Sequence, residues 1–304
     1  MLRAIVLGSA AGGGYPQWNC RCATCRLAYS GDPRVRPGTQ CSLAVTADGE
    51  RWLVLNASPD IRQQILATPA LHPREGLRDS PIGAVLLTNG DVDAIAGLLT
   101  LRESQPFALF GGNAVMDSLA AQPVFQVLND AYVARSVVEA GTPFAALPGL
   151  TVATYSVPGK IPLWLEGDEA ELDLMNEGGQ TIGVEVRGDD GHVIQFVPGC
   201  AAVTPRLAER LAGADIVFFD GTLWSDHELV TAGVGHKTGR RMGHISMSGP
   251  DGSMAALAHV PVRRKVYVHI NNTNPALVSG SPERKAVEDA GWDVGFDGME
   301  VVLT

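Results

Sequence analysis

The stretch Val85-Leu86-Leu87-Thr88-Asn89-Gly90-Asp91-Val92-Asp93-Ala94-Ile95-Ala96-Gly97-Leu98-Leu99 constrains this chain more than any other. The apolar run from Ala84 to Leu87 has the length and content of a buried strand. Asn89-Gly90 stops it, because both residues favour turns. Asp91 and Asp93 then stand two apart, and an apolar helical pattern containing Gly97 follows. A strand that ends in closely spaced carboxylates and turns into a helix has the layout of a metal-binding loop at a sheet edge.

Composition sets the frame around that loop. The chain has 304 residues, 45% hydrophobic and 18% charged, enough for a sizeable core. The 35 Gly and 19 Pro predict many turns rather than long helices. The formal net charge is −10 and no basic run of five or more occurs, which argues against a nucleic-acid or anionic-membrane partner. No run of eighteen apolar residues exists, so no membrane span is expected. Met1 to Gly8 is too short for a secretory leader and reads as a first core strand. Five Cys, three of them crowded together, fit a reducing cytoplasm with a metal site better than a disulfide framework.

Strand-like runs are predicted at Ala4 to Leu7, Ser42 to Thr46, Trp52 to Leu55, Ala84 to Leu87, Phe107 to Phe110, Ile182 to Val186, Val193 to Val197, Ile216 to Phe219, Val266 to His269 and Val301 to Leu303. Helices open at Ser58-Pro59-Asp60, at Thr204-Pro205 and at Ser281-Pro282-Glu283, the last ending at Gly291. The acidic segment Leu163 to Gly179 reads as a surface insertion. No repeat or linker divides the chain, so residues 1–304 are expected to form a single domain, two sheets with helices outside.

Asn19-Cys20-Arg21-Cys22-Ala23-Thr24-Cys25 is the sharpest local motif. Three thiols this close can converge on one ion, and soft thiolates favour tetrahedral zinc. A structural zinc loop is therefore expected near residues 19–26, with a redox pair or isolated buried thiols as rival readings. Redox C-x-x-C pairs open a helix in a βαβ setting, whereas this cluster follows Ala11-Gly12-Gly13-Gly14. The glycine loop Gly8 to Gly14 lacks the Gly-Lys-Ser/Thr ending of a phosphate loop and is expected to be a turn. Cys41 and Cys200 are expected to be small core residues.

Lys265-Val266-Tyr267-Val268-His269-Ile270-Asn271-Asn272-Thr273-Asn274-Pro275 is a strand running into a polar cluster. His269 at the strand end is a candidate metal ligand, against the alternative of a satisfied core imidazole. Asp220 ends the run Ile216 to Phe219 and is either a site carboxylate or part of an Asp-Gly turn. His244 is a ligand, an outer hydrogen-bond donor or a helix-start residue. His236 reads as part of a mobile surface loop. His72, His192, His227 and His259 carry no motif and read as structural or solvated.

The glycine loop, Cys20-x-Cys22-x-x-Cys25, Thr88-Asn89-Gly90-Asp91-Val92-Asp93, Phe219-Asp220-Gly221-Thr222, Gly243-His244-Ile245-Ser246 and His269 to Pro275 stand in the order found in the B-protein family of pyrroloquinoline quinone (PQQ) synthesis. The chain resembles that family over essentially its whole length. The family lies within the metallo-β-lactamase superfamily, so the resemblance implies an α/β, αββα sandwich of two mixed sheets flanked by helices. The superfamily loop reads His-x-His-x-Asp-His; here Asn89 and Asp91 take the first two His positions, Asp93 keeps the Asp, and Ala94 takes the last His. By position, the resemblance implies Asp93 and His269 as active-site metal ligands, Asp91 and His244 as further ones, and Asp220 as a carboxylate at the site. The chain is also similar to the phosphodiesterase of the carbon–phosphorus lyase pathway, whose three-Cys loop is closed by a His. The matching position is Asn272, ranked first as fourth zinc ligand, with another side chain or a water still open. That relative also suggests a homodimer.

The implied role is PQQ biosynthesis. The expected reaction is metal-dependent hydroxylation of the tyrosine-derived ring of a Glu-Tyr derived peptide precursor, with iron placed first as the active-site ion and with Asp93, His269 and Asp220 at the chemistry. The alternative is a soluble carrier assisting transport of PQQ or its precursor on a degenerate metal site. An ordinary phosphodiester or thioester hydrolase comes last, since the loop has lost most of its ligand identities.

Overall fold

The computed structural model describes residues 1–159 and 179–304. The insertion expected at Leu163 to Gly179 lies almost wholly outside the described residues.

Period-two alternation sorts the apolar side chains into layers. Among the described residues the strands are β1 (Leu2–Gly8), β2 (Ser42–Thr46), β3 (Trp52–Leu55), β4 (Ile82–Leu87), β5 (Phe107–Gly111), β6 (Val133–Val137), β7 (Phe144–Leu147), β8 (Leu150–Ser156), β9 (Ile182–Gly188), β10 (Val193–Val197), β11 (Ile216–Asp220), β12 (Arg264–Val268), β13 (Trp292–Val294) and β14 (Glu300–Leu303). The helices are α1 (Ala23–Tyr29), α2 (Ile61–Ala67), α3 (Val92–Ile95), α4 (Asn113–Ala121), α5 (Pro205–Leu211), α6 (Glu228–Thr231), α7 (Ser253–Ala256) and α8 (Pro282–Asp289). In β3, Leu53 and Leu55 face the other sheet, where they join Val184, Phe196 and Phe218. Trp52 and Val54 point the other way, into a layer with Ile61, Ile95 and Leu98. In β11 and β12, Val217, Phe219 and Tyr267 pack outward with Leu207, Leu211 and Val287. Three apolar layers result, which is the αββα sandwich expected from the resemblance.

One sheet has the order β14-β1-β2-β3-β4-β5-β6 and the other β13-β12-β11-β10-β9-β8-β7. In the first, β14 through β3 pair antiparallel and β3 through β6 pair parallel. The second repeats the scheme, antiparallel from β7 to β10 and parallel from β10 to β13. Topology thus carries a duplication that the residue pattern does not display. The parallel strands β4, β11 and β12 bring Thr88 to Asp93, Asp220 to Thr222 and His269 to one region of the sandwich edge.

Two predicted boundaries move. The helix expected at Ser58-Pro59 begins at Ile61. Ser58 is fully buried and caps nothing; Asp60 instead accepts from the backbone and side-chain amides of Gln40, both at 2.9 Å. The strand expected to include His269 stops at Val268, because His269 turns into the left-handed region at φ 56°. Thr204 and Ser281 cap as expected, accepting from the Leu207 and Arg284 amides. Cys41 and Cys200 are buried core residues, as expected.

Candidate metal centres

The thiol centre is built by the loop before α1. Cys20, Cys22 and Cys25 are buried, and their sulfurs lie within 4.8 Å of one another. The side-chain amide of Asn272 closes the open side, its Nδ2 3.2, 3.6 and 3.3 Å from the sulfurs of Cys20, Cys22 and Cys25. Thr24 donates to the Asn272 carbonyl, so the loop grips main chain as well as side chain. Burial pushes the Cys25 thiol up to about 12. Burial also acts to raise Cys22, but hydrogen bonds, first that of Thr24, outweigh it and hold this thiol below the ordinary range. Three soft sulfurs around one point fit zinc, with Asn272 at the fourth corner. The side-chain oxygen and nitrogen of an amide exchange places by a simple flip, so its oxygen has the same reach.

The second centre gathers side chains from four segments. Asp220, at the end of β11, is fully buried. Its Oδ2 accepts from the Cys200 amide at 2.9 Å and lies 2.7 Å from His244 Nδ1. Its Oδ1 accepts from the Thr222 amide at 3.0 Å and hydroxyl at 2.6 Å. His269, just past β12, lies with Nδ1 2.8 Å from the same hydroxyl and Nε2 2.9 Å from Asp93 Oδ2. The two imidazoles stack at 5.1 Å between centroids. Donor atoms of Asp220, His244 and His269 all lie within 4.8 Å of one another, and Asp93 joins through His269.

Electrostatics binds this group together. Burial acts to lower the proton affinity of His269, but the Asp93 hydrogen bond and charge, with Asp220 and Asp91 behind, raise it above that of an ordinary imidazole. Burial likewise acts to raise the Asp93 carboxyl, and the His269 hydrogen bond and charge overcome it. Two imidazoles with carboxylates and no thiolate suit a first-row divalent ion.

Asp93, His269, His244 and Asp220 are thus brought together. Asp91 stands at the edge, at the start of α3, and reaches the group through its charge on His269. Ala94 is buried in the apolar layer beside Ile61 and Ile95 and offers no donor atom. His192 pairs with Asp215 at 3.2 Å and His72 Nε2 lies 3.1 Å from the Leu66 carbonyl, both away from the group. Sequence reasoning quoted Thr222 without assigning it a role; a polar residue two past a buried strand-end Asp was the available signal. A cavity of about 940 Å³ opens beside His244, walled by Arg240, Asp226, Ser246 and Ser248 together with the apolar Val203, Ile245 and Ala256.

The sequence profile of the "Beta-lactamase superfamily domain" matches residues 51–270. The chain is 58% identical to "Coenzyme PQQ synthesis protein B" of Methylobacterium nodulans over 99% of its length and 100% of the relative. The protein of that name from Gluconacetobacter diazotrophicus is 52% identical, covering 99% of each. Among solved structures, the crystal structure of Zn(2+)-bound PqqB from Methylobacterium extorquens superposes with TM-score 0.97 at 54% identity, covering 99% of this chain and 100% of that one. A diphosphatase from the PhnP family superposes at TM-score 0.68 and 19% identity, covering 100% of this chain and 98% of that one, a likeness of fold.

Proposed function

Because the chain belongs to the beta-lactamase superfamily and, within it, to the B-protein family of PQQ synthesis, we propose that it hydroxylates the tyrosine-derived ring of a Glu-Tyr derived PQQ precursor in a metal-dependent reaction. The observation that carries this reading is the meeting of Asp93, His269, His244 and Asp220, with His244 on the wall of a cavity of about 940 Å³. Asp93 and His269 are the proposed ligands of iron, with Asp91 or His244 completing the set. Iron held by imidazole and carboxylate would supply activation of dioxygen. The protein's own residues would do the rest. Arg240 on the cavity wall is the cation to meet a precursor carboxylate. Asp220 holds His244 by Nδ1, so a proton reaching His244 from the cavity has a buried carboxylate behind it. The thiol centre would hold structural zinc on Cys20, Cys22, Cys25 and Asn272, in the reducing setting of the cytoplasm.

The test is metal content beside oxygen uptake. Protein purified without oxygen is assayed by mass spectrometry, next to an Asp93→Ala/His269→Ala variant, then given iron and precursor. The expected result is zinc in both proteins, a second ion in the unaltered protein alone, and uptake that follows that ion. A second reading, a carrier for PQQ or its precursor, is favoured by Ala94, whose apolar seat removes one ligand from the loop. No second ion and no uptake, with precursor still bound, would leave the carrier and sink the hydroxylase.

A further inference from the structure

The hydroxyl of Thr222 touches more of the second centre than any metal-type donor does. It lies 2.6 Å from Asp220 Oδ1, 2.8 Å from His269 Nδ1, 2.9 Å from the His269 carbonyl and 3.1 Å from His244 Nδ1. Thr222 is 4% exposed, so water does not substitute for these partners. A hydroxyl has one proton to give and two lone pairs to receive. Asp220 Oδ1 and the His269 carbonyl are acceptors, and the 2.6 Å separation is that of a hydroxyl donating to a carboxylate. Whichever oxygen takes the proton, neither imidazole receives it. His269 must then bring its own proton at Nδ1, and Thr222 accepts it. The same count applies to His244, whose Nδ1 faces Asp220 Oδ2 at 2.7 Å.

We propose that Thr222 is the positioning residue of the second centre: its hydroxyl accepts the Nδ1 proton of His269 and so aims Nε2 at Asp93, where an incoming divalent ion would take the place of the Nε2 proton that Asp93 accepts. Backbone geometry supports the same role. His269 sits at φ 56°, a conformation costly for a side chain with a Cβ. Thr222 holds both its ring and its carbonyl, and the Asn271 amide donates to the Thr222 carbonyl at 3.0 Å. The clamp therefore fixes main chain and ring together, as outer partners of metal-bound imidazoles do. The metal consequence rests on the ligand reading above; the hydrogen bond itself does not.

Thr222→Val keeps the shape and loses the hydroxyl; Thr222→Ser keeps the hydroxyl. Two measurements go together. In metal-free protein labelled at histidine nitrogen, the His269 Nδ1–H signal, assigned by its loss in His269→Gln, is expected to be slow to exchange in the unaltered protein and in Thr222→Ser. Co²⁺ affinity, with the thiol centre filled by zinc, is expected to fall about ten- to a hundredfold in Thr222→Val and to stay within about threefold in Thr222→Ser. A crystal structure of the Co²⁺-loaded protein should show the ion on Nε2 of His269. An ion on Nδ1, equal affinity in the Val variant, or an unprotected Nδ1–H in the unaltered protein would each overturn the proposal, the last without any variant having to fold. If the unaltered protein takes up no Co²⁺ while its Nδ1–H is protected, the ligand reading fails and the clamp stands.

Discussion

Glu228 ties α6 to the loop that closes the thiol centre. It accepts from the Trp224 amide at 2.6 Å and from the Thr273 hydroxyl. Burial pushes its carboxyl from 4.5 up to about 7. A carboxyl whose folded pKa is raised destabilises once ionised, so stability is highest below pH 4.5, falls as pH rises toward 7, and stays low above. Glu228→Gln removes that ionisation. Urea unfolding is expected to give it nearly the stability of the unaltered protein at pH 5 and about 1–3 kcal/mol more at pH 8. A gap that does not change with pH would refute the assignment. At this scale the sequence was most legible where chemistry-bearing residues crowd one loop or follow a strand: Cys20, Cys22 and Cys25 meet in one centre, and Asp93, Asp220 and His269 in the other. Thr222 received no role because its partner ring lies 47 positions away, and no periodicity reports such a distance.

Elements were legible where two local rules agreed. Thr204-Pro205 and Ser281-Pro282 opened helices because cap and N1 proline agree. Strand β8 was missed because Thr151, Thr154 and Ser156 dilute its apolar pattern, although Thr154 is buried. Strand β13 was missed because three residues carry too little periodicity. The α3 region shows a tight seam. A Cβ on Gly97 would lie 2.1 Å from the Ser58 carbonyl and 2.7 Å from that of Ala57, and the Gly97 amide donates to Ala57 at 2.8 Å. Backbone on both sides cannot yield cheaply, so Gly97→Ala is expected to cost about 3 kcal/mol or more, read as a lowered melting temperature. Unchanged melting would mean that α3, and Asp93 with it, is free to shift off β3.

At the scale of the molecule, the thiol and histidine centres share one short segment, His269 to Asn272. Cys22→Ser is therefore expected to lose zinc and to weaken Co²⁺ binding at the second centre as well, both measured by titration. Full Co²⁺ affinity in that variant would show the centres to be independent. Both sheets face one inter-sheet core, so thermal unfolding is expected to be a single transition by calorimetry; two resolved transitions would place a domain boundary between the sheets. The αββα layering followed from the resemblance, whereas the repeated antiparallel-then-parallel scheme could not be read from residues, because hydrogen-bond topology survives without matching side chains. Strand β14 pairs with β1, Leu303 opposite Leu2. During synthesis the flank of β1 must wait, unpaired, until some three hundred residues have been translated. Nascent chains stalled short of Glu300 should therefore present an open sheet edge to chaperones, and the first sheet can close only once β14 has emerged from the ribosome.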